Sequence, residues 1–371
     1  MNIARLLTSL QNRQADRTNV FNDMCNKYRY VNGSHTSTDV MKVIFLKQYN
    51  TATTFIPKIG STFMTLAFSF FHGTKSDVEG WFTTSRRAVH RTQFGQYKHE
   101  FDGNSIQNIT TILFSRNPYS RVFSAYIDKI YILNCYMLAS EVLRYTTKNQ
   151  GYSKHSNCVL NVSFPDFLDY ALNSQVRYRY EHYDPTTNHY VLPVVCQTQK
   201  LIIVKQETFT SDIEYAFSVM HVEDGKRETI HNLLHYHKAK SNVASIVKTS
   251  YAKYRKLMKT RSYTRCVWWR TLAERLWKSF QIQGYINERS QFPSDKLMHV
   301  DELSNETLFL KTAFQELERR PLSSEQSFYQ RQRALAHAYA DISPTLLTKF
   351  VEKYKTDFDF FQYEPHFKWW I

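Results

Sequence analysis

Residues 55–68, FIPKIGSTFMTLAF, constrain the fold more than any other stretch of this chain. An apolar run enters, Pro57-Lys58-Ile59-Gly60-Ser61-Thr62 interrupts it, and apolar residues resume at helical spacing. That order predicts a buried strand, a tight turn, and a helix beginning at Ser61 or Thr62. Gly60 lets the backbone fold back closely, Ser61 or Thr62 can cap the helix, and the first helical N–H groups face any bound anion. Lys58 adds a full positive charge at the mouth of the turn. An ordinary strand-turn-helix with a solvated lysine fits this stretch equally well when it is taken alone.

A second stretch at 112–130, ILFSRNPYSRVFSAYIDKI, repeats the plan. Thr111 to Ser115 is β-prone, and Arg116 falls where that strand would end. Asn117 followed by Pro118 is a helix opening, with Asn as N-cap and Pro in the first turn. Val122, Phe123, Tyr126, Ile127 and Ile130 then share one helical face. Arg116 and Ser124 can both reach a phosphate lying over that helix start, and an arginine offers the paired donors a phosphate monoester prefers.

Together, PKIGST and SRNPYSRVFSAYIDK resemble the paired nucleotide signatures of the Golgi carbohydrate sulfotransferases. The nearest group holds the chondroitin, dermatan and N-acetylgalactosamine 4-sulfotransferases. There the first segment typically reads PKVGCTNW and holds the 5′-phosphosulfate of PAPS (3′-phosphoadenosine 5′-phosphosulfate). The second reads roughly VRDPFERLVSAYRDK and holds the 3′-phosphate. The resemblance implies an α/β, P-loop-like sulfotransferase fold, a central parallel sheet flanked by helices, with the nucleotide at the strands' C-terminal ends. It implies a PAPS-dependent transfer of a sulfuryl group to a glycan hydroxyl, with a galactosamine-containing glycosaminoglycan or an N-glycan as the acceptor class. Pro57, Lys58, Gly60, Ser61 and Thr62 would hold the 5′ side of the donor. Arg116 and Ser124, with Arg121 beside them, would hold the 3′ side. The implied partners are a nucleotide donor and an anionic glycan rather than nucleic acid, and the implied setting is the Golgi membrane or lumen.

Further matches lie along the chain in order. VSFPDFLDYAL (162–172) resembles the family's VTFEEFVRYLL and reads as a strand, a break at Pro165 and an amphipathic helix. EHYDP (181–185) resembles EHWRP, and LIIVKQETFTSDIEYAF (201–217) resembles a strand-then-helix segment in which Glu207 and Thr208 match an ET pair. LLTKFVEKYKTDFDFFQYEP (346–365) resembles the closing helix and tail. The resemblance covers roughly 20–220 and 340–365. Residues 1–40 read as a polar stem with a helix ending near Tyr30 and a turn at Asn32-Gly33, and 41–371 as one sulfotransferase domain. Within it, 225–340 is a family-atypical, largely helical C-terminal insertion. Its basic tract at 237–280 reads either as a helical pair packing Trp268, Trp269, Leu272 and Leu276 on the core or as a wall for a polyanion. After the second signature, helix is expected to run on to about Tyr145, with a polar loop over 146–160.

The net charge of +15 favours anionic partners without choosing among nucleotides, sulfated glycans, nucleic acid and acidic membranes. Five cysteines, Cys25, Cys135, Cys158, Cys196 and Cys266, show no C-x-x-C spacing, so a zinc site is not expected. One or two disulfides fit a lumenal chain, and an odd thiol remains. Sequons at Asn32, Asn108, Asn161 and Asn305 agree weakly with that setting. The family resemblance predicts an N-terminal membrane anchor, yet the opening MNIARLLTSLQNRQADR carries only a brief apolar patch.

Sulfuryl transfer moves SO3 in line from phosphate to hydroxyl, so charge grows on the bridging oxygen while the hydroxyl loses a proton. Lys58 is the candidate to meet that oxygen, and no metal is expected. His182 in EHYDP is the favoured base, with His90 of the basic cluster Arg86, Arg87, His90 and Arg91, and Glu207, as the other options. Asn117 replaces the family's usual Asp or His, and Ser61 and Thr54 replace two usual cysteines. Cys196 lacks the second cysteine of a C-x-P-C pattern. A nucleoside triphosphatase is disfavoured because Lys58 precedes Gly60 rather than following a G-x-x-x-x-G-K order. A basic glycan- or nucleotide-binding protein without turnover is the alternative in another class.

Overall fold

The computed structural model describes residues 3–29, 41–73, 89, 98–150, 158–174, 181–259 and 266–366. The basic cluster at 86–91, including His90, and the Asn32-Gly33 turn lie outside the described residues. Five strands, β1 (Met41–Leu46), β2 (Thr51–Thr53), β3 (Lys98–Phe101), β4 (Thr110–Ser115) and β5 (Lys200–Lys205), form one sheet in the order β3-β1-β2-β4-β5. The β2-β4 and β4-β5 ladders are parallel, and β1 pairs antiparallel with β2 and with β3. The parallel core expected from sequence is therefore the β2-β4-β5 half. β1 turns back on it because Lys47–Tyr49 and the left-handed Asn50 make a hairpin-sized connection, too short for a parallel crossover.

Among the described residues, helix α1 (Ile3–Lys27) opens the chain. Rather than standing off as a stem, it docks on β5: Phe21 and Cys25 are buried, Gln14 exchanges hydrogen bonds with the Ile203 backbone, and Arg17 pairs with the buried Asp212 at 2.6 Å. Helix α2 (Ser61–Phe71) follows β2, α3 (Pro118–Tyr126) follows β4, and later come α4 (Tyr136–Gln150), α5 (Phe164–Asn173), α6 (Phe209–Val219) and α7 (Asp224–Asn232). The helix expected to continue to Tyr145 is interrupted. Ile127–Tyr131 forms a π-helical turn, Leu133 takes φ 51°, and α4 then runs into the start of the expected loop, as far as Gln150, with 151–157 outside the described residues. Pro165 does not break a strand. Ser163 caps α5 with a reciprocal Asp166 capping box, which puts Pro165 in the first helical turn, where no amide partner is needed.

Helices α8 (Lys238–Met258) and α9 (Trp269–Ile282) occupy the insertion, followed by α10 (Glu306–Arg319) and α11 (Ser324–Ala340). They build a second hydrophobic core that includes Tyr119, Val122 and Ala125 of α3, while the sheet builds the first. Leu272 and Leu276 are buried there and Trp269 packs against it, but Trp268 is 59% exposed and turns away. Helices α12 (Pro344–Lys353) and α13 (Lys355–Phe361) close the chain. Helix α3 is thus the seam between the sheet and the helical half.

Candidate active site

The chain leaving β2 enters the turn with Lys58 at φ 72° and Gly60 at φ 93°. A side chain at Gly60 would be strained twice, by its backbone angle and by the Phe209 ring, which would lie 2.7 Å from a Cβ. Lys58 adopts the left-handed region although it is not glycine, a conformation costing about 1 kcal/mol or more unless the surroundings hold it. Two arginines do so. Arg116 donates to the Lys58 carbonyl at 2.9 Å, and Arg121 donates to the Pro57 carbonyl at 3.3 Å. The corner after β2 and the corner after β4 therefore interlock through consecutive carbonyls of the first and guanidinium groups of the second.

The two arginines differ in what remains of them. Arg121 is wholly buried, and besides Pro57 it donates to the carbonyls of Asp184 and, at 2.8 Å, Glu181. Its guanidinium is consumed in fastening the turn to the EHYDP segment, which corrects its expected role as a phosphate ligand. Arg116 remains half-buried, and its Nε donates to Ser120 at 2.9 Å. Burial is the main reason its pKa drops to about 10, which leaves it cationic at neutral pH. Ser120 and Ser124 stand one helical turn apart on α3 and so share a face over Arg116. Asn117 caps the helix as predicted, accepting from the Tyr119 amide at 3.0 Å.

Lys58 forms a close ion pair with Asp128, and both side chains are nearly buried. Asp128 is also held by Lys129 at 3.2 Å and by Asn134 at 2.9 Å. It reaches Lys58 because it sits in the π turn after α3, the kind of local widening that re-aims side chains at functional sites. His182 joins this cluster. Burial first, then the nearby Lys129 and Lys58 charges, push its pKa down to about 2, so the ring is neutral at physiological pH.

Glu207 sits elsewhere. It accepts from the Asn117 amide at 2.9 Å and from Tyr363 at 3.0 Å, and Tyr363 also meets Ser115 at 3.1 Å. Its charge lies beside Arg116. Helix α2 begins at Ser61 as predicted, but its N-cap is Gly60, which has no side chain to cap with, so neither Ser61 nor Thr62 is the cap.

Sequence reasoning passed over three participants. Asp128 and Lys129 fall off the apolar face of the expected helix, and only the π turn brings Asp128 to Lys58, with Lys129 on the same carboxylate. Arg331, on α11 of the insertion, lies close enough for its charge to depress the Arg116 pKa, and nothing in its local sequence marks it.

A sulfotransferase family model matches residues 41–267, which takes in both corners, the EHYDP segment, β5 and residues 225–267, so the family match extends into the stretch expected to be family-atypical. No curated protein and no solved structure matches the chain.

Proposed function

Because the chain belongs to the sulfotransferase family, we propose that it moves a sulfuryl group in line from PAPS to a hydroxyl of a glycan, with a galactosamine-containing glycosaminoglycan or N-glycan as the acceptor class. The observation that carries this reading is the Arg116 to Lys58 hydrogen bond. It sets Arg116, the candidate 3′-phosphate ligand, against the backbone of Lys58, the candidate 5′-phosphosulfate ligand, at the corners that follow β2 and β4.

In this reading the ammonium of Lys58 leaves Asp128 and meets the bridging oxygen as the S–O bond lengthens. Asp128 is not orphaned, since Lys129 and Asn134 keep it. The first-turn amides of α2, with Ser61 and Thr62, cradle the 5′ side, helped by the helix dipole. Arg116, Ser120 and Ser124 receive the 3′-phosphate, and Arg331 adds a second cation from the insertion. His182, neutral and adjacent to Lys58, takes the proton from the attacking hydroxyl, and the anionic donor offsets the lysine charges that oppose its protonation. No metal is given a role in this transfer.

A Golgi lumenal setting is proposed from the family and from two disulfides, Cys25–Cys196 and Cys158–Cys266, which need an oxidising compartment. No helix among the described residues is long and apolar enough to cross a membrane. The deciding experiment is transfer of radiolabelled sulfate from PAPS to a panel of desulfated glycans, with linkage analysis of the product. Tight binding of adenosine 3′,5′-bisphosphate with no transfer to any acceptor would favour a binding protein on the same scaffold.

A further inference from the structure

Away from the nucleotide corners, Glu214 of α6 faces His231 at the end of α7 and His235 in the π-helical turn Leu233–His237 that follows. His231 Nδ1 lies 2.6 Å and His235 Nε2 lies 3.0 Å from the same carboxylate oxygen, Oε1 of Glu214. The two imidazoles lie 4.2 Å apart between centroids. One ligand atom from each of the three residues falls within 4.8 Å of the others. We propose that Glu214, His231 and His235 form a binding site for a divalent transition-metal ion, zinc above all, that clasps α6 to the helix after it.

Three features argue for this chemistry. First, two imidazole nitrogens and one carboxylate oxygen are the donor set that zinc, copper and nickel favour, and hard cations such as calcium do not. Second, tetrahedral zinc with bonds of about 2.0–2.1 Å spaces its ligand atoms roughly 3.3 Å apart, close to the 2.6 and 3.0 Å from Glu214 Oε1 to the two imidazole nitrogens. Third, the side chains are 35–48% exposed, so an ion can enter and water can complete its shell. The sequence conceals the site, because Glu214 precedes His231 by 17 residues and only the packing of α6 on α7 joins them.

The same helix α6 carries Phe209, which roofs Gly60, and Asp212, which anchors Arg17. A metal clasp at Glu214 therefore rigidifies a support of the nucleotide turn without touching it. The proposal stands whether or not the chain transfers sulfate.

Titration calorimetry of the purified, disulfide-intact chain with zinc chloride should show a saturable site of unit stoichiometry at pH 7.5. The His231→Ala/His235→Ala double variant, exposed and expected to fold, should lose at least tenfold in affinity for that site. Glu214→Gln, which keeps both imidazoles, should lose less. Cobalt added in place of zinc should give visible absorption bands of a low-coordinate site in the wild type and not in the double variant. Equal zinc affinity in wild type and double variant, or no saturable zinc binding at pH 7.5, would overturn the proposal.

Discussion

Lys58 stands in two roles, as the cation for the leaving oxygen and as one half of a nearly buried ion pair, and the two can be separated. Lys58→Met should lower turnover about 100-fold or more, as loss of a transition-state donor does. It should also destabilise the fold by about 1–3 kcal/mol, because Asp128 loses one of its two cations. Adding Asp128→Asn should restore much of the thermal stability and none of the sulfate transfer; recovery of both would assign Lys58 to structure alone. Arg121 should behave in the opposite way. Replacing it with Met strands three carbonyls, and a loss of about 3 kcal/mol or more in denaturant unfolding is expected, with nucleotide affinity unchanged in whatever remains folded. His182 supplies a pH test. Its folded pKa, about 2, lies below the unfolded value near 6.5, so the unfolded chain binds the extra proton. Stability is full above pH 6.5 and falls as pH drops below it, by about 2 kcal/mol between pH 6.5 and 5. His182→Gln should flatten that part of a stability-versus-pH curve, and an unchanged slope would place the acid sensitivity elsewhere. At this scale Lys58, Arg116, Gly60 and the Asn117 cap were legible in the sequence, because each is tied to a local turn or helix start. The spending of Arg121 was not, since its three acceptors come from two distant segments.

At the scale of elements, strand-to-helix corners were readable because capping chemistry and apolar period are local. The π turn was not, because Ile127–Tyr131 keeps a helical apolar pattern and only packing reveals the extra residue. That packing comes from the insertion. Tyr254 of α8 donates to the Ile132 carbonyl at 2.9 Å, and Arg275 of α9 donates to the Tyr131 carbonyl at 3.1 Å. Tyr339 of α11 donates to the Tyr119 carbonyl at 3.0 Å. The helices after residue 237 are therefore the back wall of α3, and their Tyr and Arg side chains fix where Asp128 points. Arg331, from the same α11, should contribute to nucleotide affinity by charge. Arg331→Ala is expected to weaken adenosine 3′,5′-bisphosphate binding several-fold at low salt, with the difference shrinking as ionic strength rises, since the pair is partly solvent-screened. A salt-independent loss would indicate a collapsed α11 rather than a missing cation.

Across the whole molecule, the segments that resemble the family in sequence meet in space. Asp357 of α13 accepts from the amides of Thr186 and Thr187 at 2.6 and 2.8 Å, so the closing helix fastens the chain just beyond EHYDP. Such meetings follow from ordered motifs, whereas cysteine pairing does not, because five scattered thiols admit many connectivities. Here Cys25–Cys196 spans 171 residues and ties α1 to the segment entering β5, while Cys158–Cys266 spans 108 and ties the entry of α5 to the entry of α9, inside the helical half. The first bond thereby makes the N-terminal helix part of the sheet's edge. Replacing Cys25 and Cys196 together with alanine should cost about 2–5 kcal/mol and lower the midpoint of thermal unfolding by several degrees. The loss should be concentrated at one edge, so hydrogen exchange should speed up first in α1 and β5, where Gln14 and Arg17 hold the Ile203 carbonyl. Exchange in α3, α8 and α9 should stay near its wild-type rate, because their core is shared with the other disulfide. Uniform acceleration would mean that the two cores unfold as one unit. No change anywhere, with both thiols found free in the oxidised wild-type protein, would remove that bond and leave Cys158–Cys266 alone to support an oxidising compartment.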